Sequence, residues 1–538
     1  MEPKFLINHT KFSAFNPFEL YDNVHDDHQH FPQPEIDNFT PDLPSLQDVN
    51  HNQIQLQEFE NHDPINCSSL SKSKSKSTFA PPGSLELISN YQSKFKRLRD
   101  DSVDDTKFKS HESLSTVEII KLAAEKFIKF STQRVDGYTM FTHPYGSSAF
   151  TSLSVDETRD VELVFQLLTA AEKVGRKHFE LATKYLLQCG LVASDESSPI
   201  ERLVYYLSEA LHKRISNETG IHVPTKREKT GLKNETPVAM GSNPTFLACH
   251  QALPFNQILQ FSGIQAILDQ VGTSSKVHLI DIHIRSGVQW TAMIQAVSEQ
   301  KSQIEILKLT AFATSSDVQN VGETGKRLES FATSLSLPFE FRILLLSDIT
   351  EVEEQQFDVQ EGETVAVYCQ KILSTLISRP RSLENLMRVI STINPSIIVV
   401  AEVEANHIST SFVNRFTETL FSYGAIFDSL EACMSRNNAH RAIVEGVHLA
   451  DCIQNIVATE GDERISRGVN LNTWRSFFVR FGMEEIEFSD SCMYQANLVL
   501  KQFSCASSCT LENNGKCLIV GWKGTPLHSL STWRFIRE

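Results

Sequence analysis

The chain has 538 residues, 41% hydrophobic and 22% charged, which is globular composition with room for one large core or two smaller ones. Its formal net charge of −16 repels a phosphate backbone at long range and argues against tight nonspecific nucleic-acid binding. No run of about 18 apolar residues exists to cross a membrane, and the opening MEPKFLINHT lacks the apolar stretch of a signal peptide, so a soluble reducing compartment, cytosol or nucleus, is expected.

Residues 1–111 read as a disordered arm. They are rich in Asn, Asp, His, Gln, Pro and Ser, and their isolated apolar residues bury too little surface to offset ordering entropy. SLSKSKSKS (69–77) is followed by KFKRLRD (94–100), in which Lys94, Lys96, Arg97 and Arg99 form a basic cluster. Such a cluster in a flexible tail suits a nuclear import receptor, and it also suits a plain solvated charge run.

Ordered structure is expected from Leu114. Ile119, Ile120, Ala123, Ala124, Phe127 and Ile128 recur at helical spacing. A second helix is predicted over 157–189. Its stripe is Val161, Val164, Leu168, Ala171 and Val174, continued by Phe179, Ala182, Leu186 and Leu187. Leu163, Leu167, Leu181 and Tyr185 lie off that stripe, so the helix must bury a second face, against its own core or against another protein. A third helix, 199–215, carries Ile200, Leu203, Leu207 and Leu211 on one side. Residues 112–230 therefore form a mainly helical section.

Over 231–538 the pattern becomes helices alternating with short apolar runs. These are VHLIDI (277–282), IEILKLT (304–310), FEFRILLL (339–346), TVAVYC (364–369), SIIVVAE (396–402), QANLVLK (495–501) and KCLIVGW (516–522). Each reads as a strand buried on both faces, with helical crossovers between. The expected architecture is α/β: a mostly parallel, doubly wound, Rossmann-like sheet under an α-helical cap.

Asp281 falls at the carboxyl end of the first strand, the edge where open α/β sheets bind ligands. A nucleotide or S-adenosylmethionine enzyme is the natural reading of that position. Cradling a cofactor, however, needs several glycines for close backbone approach, and the turn His283-Ile284-Arg285-Ser286 offers only Gly287. No cofactor is therefore expected. Glu402, Glu404 and His407 resemble an acid/base or metal set, but without a second His they read better as a structural polar network. Cys505, Cys509 and Cys517, with His528 beyond, fit no zinc spacing, and no CxxC occurs among the ten cysteines, so no metal is expected. Trp290, Trp522 and Trp533 read as core anchors, each with one N–H to satisfy. No P-loop or Gly-x-Ser-x-Gly elbow is present.

At VHLIDIHIRSGVQW (277–290) the sequence resembles the GRAS family of plant regulators, whose namesake motif joins Val277, His278 and Asp281 to Gly287, Gln289 and Trp290. LLTAAEKV (167–174) is similar to the family's first leucine-rich region, and TGKRLESFATSLSLPFEFR (324–342) to the second with its extension. VVAEVEANHISTSFVNRF (399–416), with Asn406, His407 and Arg415, is close to the central motif. RAIVEGVHLADCIQNIVATEGDER (441–464) and GWKGTPLHSLSTWRF (521–535) resemble the last two motifs. The resemblance spans 112–538. It implies a non-enzymatic transcription regulator of the nucleus that binds other GRAS proteins and DNA-binding factors, mainly through the leucine-rich regions and the first strand motif. On this ground Leu163, Leu167, Leu181 and Tyr185 are expected to meet a partner. The departures at Ala311, Thr291, GDERISRGVN (461–470) and Thr532 place the chain in a divergent branch, and the arm lacks a D-E-L-L-A string. The overall likeness points toward a branch linked to root symbiosis with arbuscular mycorrhizal fungi, or to development. The rival readings are a methyltransferase, suggested by the sheet and Asp281, and a direct sequence-specific DNA binder, which requires a local basic groove.

Overall fold

The computed structural model describes residues 114–133, 153–221, 243–299 and 304–536. The arm 1–111 and its basic cluster, Lys94 to Arg99, lie outside the described residues, as does the 222–242 segment containing the expected boundary at 230.

The helical section comprises α1 (Thr116–Gln133), α2 (Val155–Gly175), α3 (Phe179–Val192) and α4 (Pro199–Thr219). Ser154 and Glu157 start α2 with a reciprocal cap: the Glu157 N–H donates to Ser154 Oγ at 3.2 Å and the Ser154 N–H donates to Glu157 Oε2 at 2.8 Å. The helix expected over 157–189 is two helices. Lys177 takes a left-handed φ of 61°, which ends α2 and redirects the chain into α3. Because α2 packs against α1, α3 and α4, it is covered on several sides. Leu163 and Leu167 are accordingly core residues, 3% and 0% exposed, and the expectation that they meet a partner is corrected.

After α5 (Asn243–Ala252) and α6 (Pro254–Val271) the alternating section begins. Five parallel strands stand in the order β3 (Phe339–Leu345), β2 (Ile306–Ala313), β1 (Lys276–Asp281), β4 (Thr364–Gln370), β5 (Ile397–Val403). This reversal after β1 is the Rossmann order. The crossovers are α7 (Val288–Glu299), α8 (Val318–Ser334), and α9 (Leu373–Leu376) with α10 (Pro380–Ile393). The long α11 (Phe412–Cys433) then packs back on α1 and α4, joining cap to core. It leads to α12 (Ala439–Ile443), a π-helical turn (Val444–Leu449) and α13 (Ala450–Ala458). After α14 (Leu471–Arg480) come β6 (Met483–Ile486), α15 (Asp490–Leu500), β7 (Cys509–Asn514), β8 (Cys517–Trp522) and β9 (Thr525–Phe535). β9 enters antiparallel between β5 and β8 and also pairs with β6.

A buried network ties cap to core. Arg202 of α4 donates from Nε to Glu445 at 2.8 Å and from Nη2 to Glu431 at 3.1 Å. Arg441 donates from Nε to the other Glu445 oxygen at 3.0 Å and also reaches Glu431.

Two strand expectations are corrected. QANLVLK belongs to helix α15: Ser489 caps it, and Cys492, Gln495, Ala496 and Val499 are buried at spacings of three, four and seven residues, a helical period that the Leu-Val-Leu run concealed. β3 is not buried on both faces; it is an edge strand whose Ile343 and Leu345 are 39% and 57% exposed.

Candidate functional site

The carboxyl edge of the sheet is where the strand order places a crevice, between β1 and β4. Asp281 ends β1 fully buried, and its carboxylate is engaged within its own motif. Oδ1 accepts from the His283 N–H at 2.9 Å, and Oδ2 accepts from Gln289 Nε2 at 3.1 Å and from the Trp290 indole N–H at 2.7 Å. Burial raises its pKa to about 6 against the pull of these hydrogen bonds. Gly287 makes the return possible: its φ is 68°, and a Cβ there would lie 2.7 Å from Thr324 Cγ2. Trp290 then stands edge-on to Tyr368, centroids 5.5 Å apart. At the other end of β1, Val277 is buried, and His278 bridges Glu363 at 3.2 Å and Thr310 at 2.8 Å. Burial, then the charge of Lys308, lowers the His278 pKa to about 4.

The carboxylates following β5 hold loops. Glu402 Oε1 accepts from the N–H groups of Leu373 and Ser374 at 2.8 and 3.3 Å, and Glu404 Oε2 accepts from the Leu471 N–H at 2.9 Å. The Asn406 N–H donates to Glu418 at 3.3 Å, and the His407 N–H donates to the Gly468 carbonyl at 2.8 Å. Arg415 donates to the carbonyls of Ile456 and Ser409 at 3.3 and 2.9 Å and pairs with Glu460. Glu402, Glu404 and His407 thus serve different loops rather than one ligand. Trp522 donates from its indole to Asp428 at 2.6 Å and Trp533 to Ser531 at 2.9 Å, both from the core. The cysteine group of the sequence is divided: Cys505 and Cys509 lie together beside Cys433, Cys517 donates to Glu485 at 3.3 Å, and His528 lies against Phe255, ring centroids 5.8 Å apart. Among the described residues no group of three or more His, Cys, Asp or Glu could hold a metal ion.

The model of the GRAS domain family matches residues 163–534. The chain belongs to this family. Its relatives include the DELLA protein RGL1 of Arabidopsis thaliana, 32% identical over 70% of each chain, and the DELLA protein GAI1 of Vitis vinifera, 28% identical over 70% of this chain and 62% of that one. Among solved structures, SCL7 of Oryza sativa superposes with a TM-score of 0.62 at 25% identity, covering 69% of this chain and 99% of that chain. GRAS proteins are plant transcription regulators, and the Rossmann-like sheet with its helical cap is the fold they share.

Two features of this GRAS domain escape the sequence. The first is the outer face of α3. Ala182, Leu186 and Cys189 pack inward, while Leu181, Leu187, Leu191 and Val192 are 41%, 63%, 87% and 39% exposed and Tyr185 is half-buried. The expected partner residues therefore divide: Leu181 and Tyr185 are on the surface, Leu163 and Leu167 are not. The second is a set of cations at the crevice, Arg285 and Lys371, both in left-handed backbone conformation, with φ of 51° and 53°. No glycine marks either position, so no sequence signal announces the geometry.

Proposed function

We propose that this chain is a non-enzymatic transcription regulator of the nucleus that works by binding other GRAS proteins and DNA-binding factors. The observation that carries the reading is the outer face of α3, whose apolar side chains are left to solvent by an otherwise well-packed cap. The engaged carboxylate of Asp281 supports the same reading, since it leaves no acceptor at the end of β1 for a ribose or an amine. Nuclear entry is assigned to Lys94, Lys96, Arg97 and Arg99. The process it serves is, within this proposal, root symbiosis with arbuscular mycorrhizal fungi or development.

The test is a pair of double variants, read by co-precipitation with a GRAS partner and by thermal unfolding. Leu187→Ala with Leu191→Ala removes exposed surface. It should leave the melting temperature within a few degrees and weaken co-precipitation about tenfold, as loss of an interface anchor does. Leu163→Ala with Leu167→Ala removes core and should lose about 4 to 10 kcal/mol of stability. A stable Leu187/Leu191 variant that keeps full partner binding overturns the assignment of α3.

A further inference from the structure

We propose that the crevice at the carboxyl ends of β1, β4 and β5 binds a small organic oxyanion, a carboxylate or a phosphate monoester, held between Arg285 and Lys371. Arg285 lies in the turn after β1, and Lys371 directly follows β4, where its N–H donates to the Ala401 carbonyl of β5 at 2.8 Å. Both side chains therefore rise from the same sheet edge, on either side of the point where the strand order reverses. Among the described residues their side-chain bonds are neutral ones: Arg285 Nε to His283 at 3.4 Å and Lys371 Nζ to Asn256 at 3.0 Å. Among the described residues neither cation has a carboxylate within ion-pair distance. The buried arginines elsewhere contrast sharply, since Arg202, Arg214, Arg415 and Arg441 each pair with a glutamate.

The charge of Arg285 also acts against that of Lys371. Solvent reaches the Arg285 side chain, and Lys371 is half-buried, yet burial is the largest influence on both, the combination that a concave crevice produces. Lys371 is lowered to about 8 by burial and then by the Arg285 charge, against the opposing pull of Glu402. Arg285 also depresses His283 and His448, the latter on the π-helical turn. π-turns inside helices occur preferentially at functional sites. The charges of Glu402 and Asp281 offset part of the burial of Arg285, and that of Glu402 part of the burial of Lys371, but neither carboxylate forms an ion pair with them, which leaves room for a bound anion beside both cations.

The floor carries an independent indication. Glu402 is 1% and His528 8% exposed, and the β5–β9 register pairs His528 with Val403, the residue after Glu402. Glu402 Oε2 and His528 Nδ1 have no hydrogen-bond partner among the described residues. The charges of Glu402 and Lys371, and of Lys371 and His528, act on each other, so the floor adjoins the cations. Burial favours the neutral form of both floor groups, raising Glu402 and lowering His528. The site therefore offers charge at the mouth and uncharged hydrogen bonding below. That pattern fits a small acid with a second polar group, its oxyanion in the guanidinium fork. It does not match a nucleotide cradle, which needs several glycines where this turn offers only Gly287.

Calorimetry on the full chain at pH 7 and constant ionic strength tests this with three probes: inorganic phosphate, succinate and glycerol 3-phosphate. Saturable binding of at least one organic probe is expected with Kd below about 1 mM, weakened about tenfold or more in Arg285→Ala and in Lys371→Met. Preference for succinate identifies a carboxylate ligand, and preference for glycerol 3-phosphate a phosphate monoester. Circular dichroism of both variants should match the unsubstituted chain, since neither cation has a carboxylate partner to lose. Absence of saturable binding by all three up to about 10 mM overturns the proposal. So does binding of inorganic phosphate alone, or binding that both substitutions leave unchanged. The outcome is independent of the α3 surface.

Discussion

Replacing Asp281 by Ala deletes the hub of the first strand motif, and the structure sets the size of the effect. Three donors lose their acceptor: the His283 N–H, the Gln289 amide and the Trp290 indole. At about 2 kcal/mol for each donor left unsatisfied, the loss is about 6 kcal/mol. The substitution also removes a burial penalty, because the folded pKa stands near 6 against 3.8 for the free side chain. At pH 7 that relief is about 3 kcal/mol, which leaves a net destabilisation of about 3 kcal/mol. The sign of the pH dependence is the sharper test. A raised carboxyl pKa means that the contribution of Asp281 is fully present below the unfolded pKa of 3.8 and is lost as pH rises through about 6. At pH 5 the relief is only about 1.6 kcal/mol, so the variant should be about 1.3 kcal/mol worse relative to the unsubstituted protein than at pH 7. Urea unfolding at the two pH values, followed by tryptophan fluorescence, measures the difference, and histidine titration common to both proteins cancels. A variant within about 1 kcal/mol of the parent at both pH values, or one whose deficit shrinks at pH 5, refutes the hub role.

Mild acid should destabilise the whole domain, because burial lowers His278, His283 and His407 from 6.5 to about 4. Their contribution is complete above pH 6.5 and is lost as pH falls toward 4; against the opposing gain from Asp281, these four groups together lose about 4 kcal/mol between pH 7 and 5, the buried His250 and His528 act in the same direction as the three histidines, and a flat melting profile over that range contradicts it. Glu445→Ala should cost about 3 to 5 kcal/mol by leaving Arg202 and Arg441 short of a buried counter-charge, and denaturation showing less than about 1 kcal/mol rejects the network as a clamp between cap and core. Changing Lys94, Lys96, Arg97 and Arg99 together to Ala should reduce nuclear accumulation of a tagged chain, whereas an unchanged nuclear signal makes the cluster a solvated charge run.

Most of the architecture was legible because its parallel strands are short β-branched runs between helical stripes; β1, β2, β4, β5 and β8 each overlap an expected run, most of them displaced or extended by one to three residues. The failures have specific causes. Periodicity reports how much of a helix is apolar but not which neighbour covers it, so Leu163 and Leu167, enclosed within the cap, looked like a second interface. The break at Lys177 is marked only by Gly175, at the last position of α2 rather than at the left-handed residue itself, so α2 and α3 read as one helix, and the outward turn of Leu187 and Leu191 was hidden. β7 and β9 are rich in polar residues because β7 lies at the edge and β9 carries Ser529, Ser531 and Thr532 inside, so neither produced an apolar run. At the site, the position of Asp281 at the strand end followed from its place in the motif. That its partners come from the same fourteen residues is a matter of side-chain direction that sequence spacing does not fix.

The placement of β9 bears on how the molecule is made. It follows every other described element in the chain, yet it lies in the interior of the sheet, hydrogen-bonded to β5, β8 and β6. During synthesis the outer edge of β5 stays open until Thr525–Phe535 emerges, and β8 with β7 has nothing to dock on. An unpaired, buried-type strand is a template for wrong pairing, so the nascent chain must be shielded over most of its translation. A premature stop between β5 and β9 is therefore expected to leave β5 with an open edge, a species exposed to mispairing and to degradation.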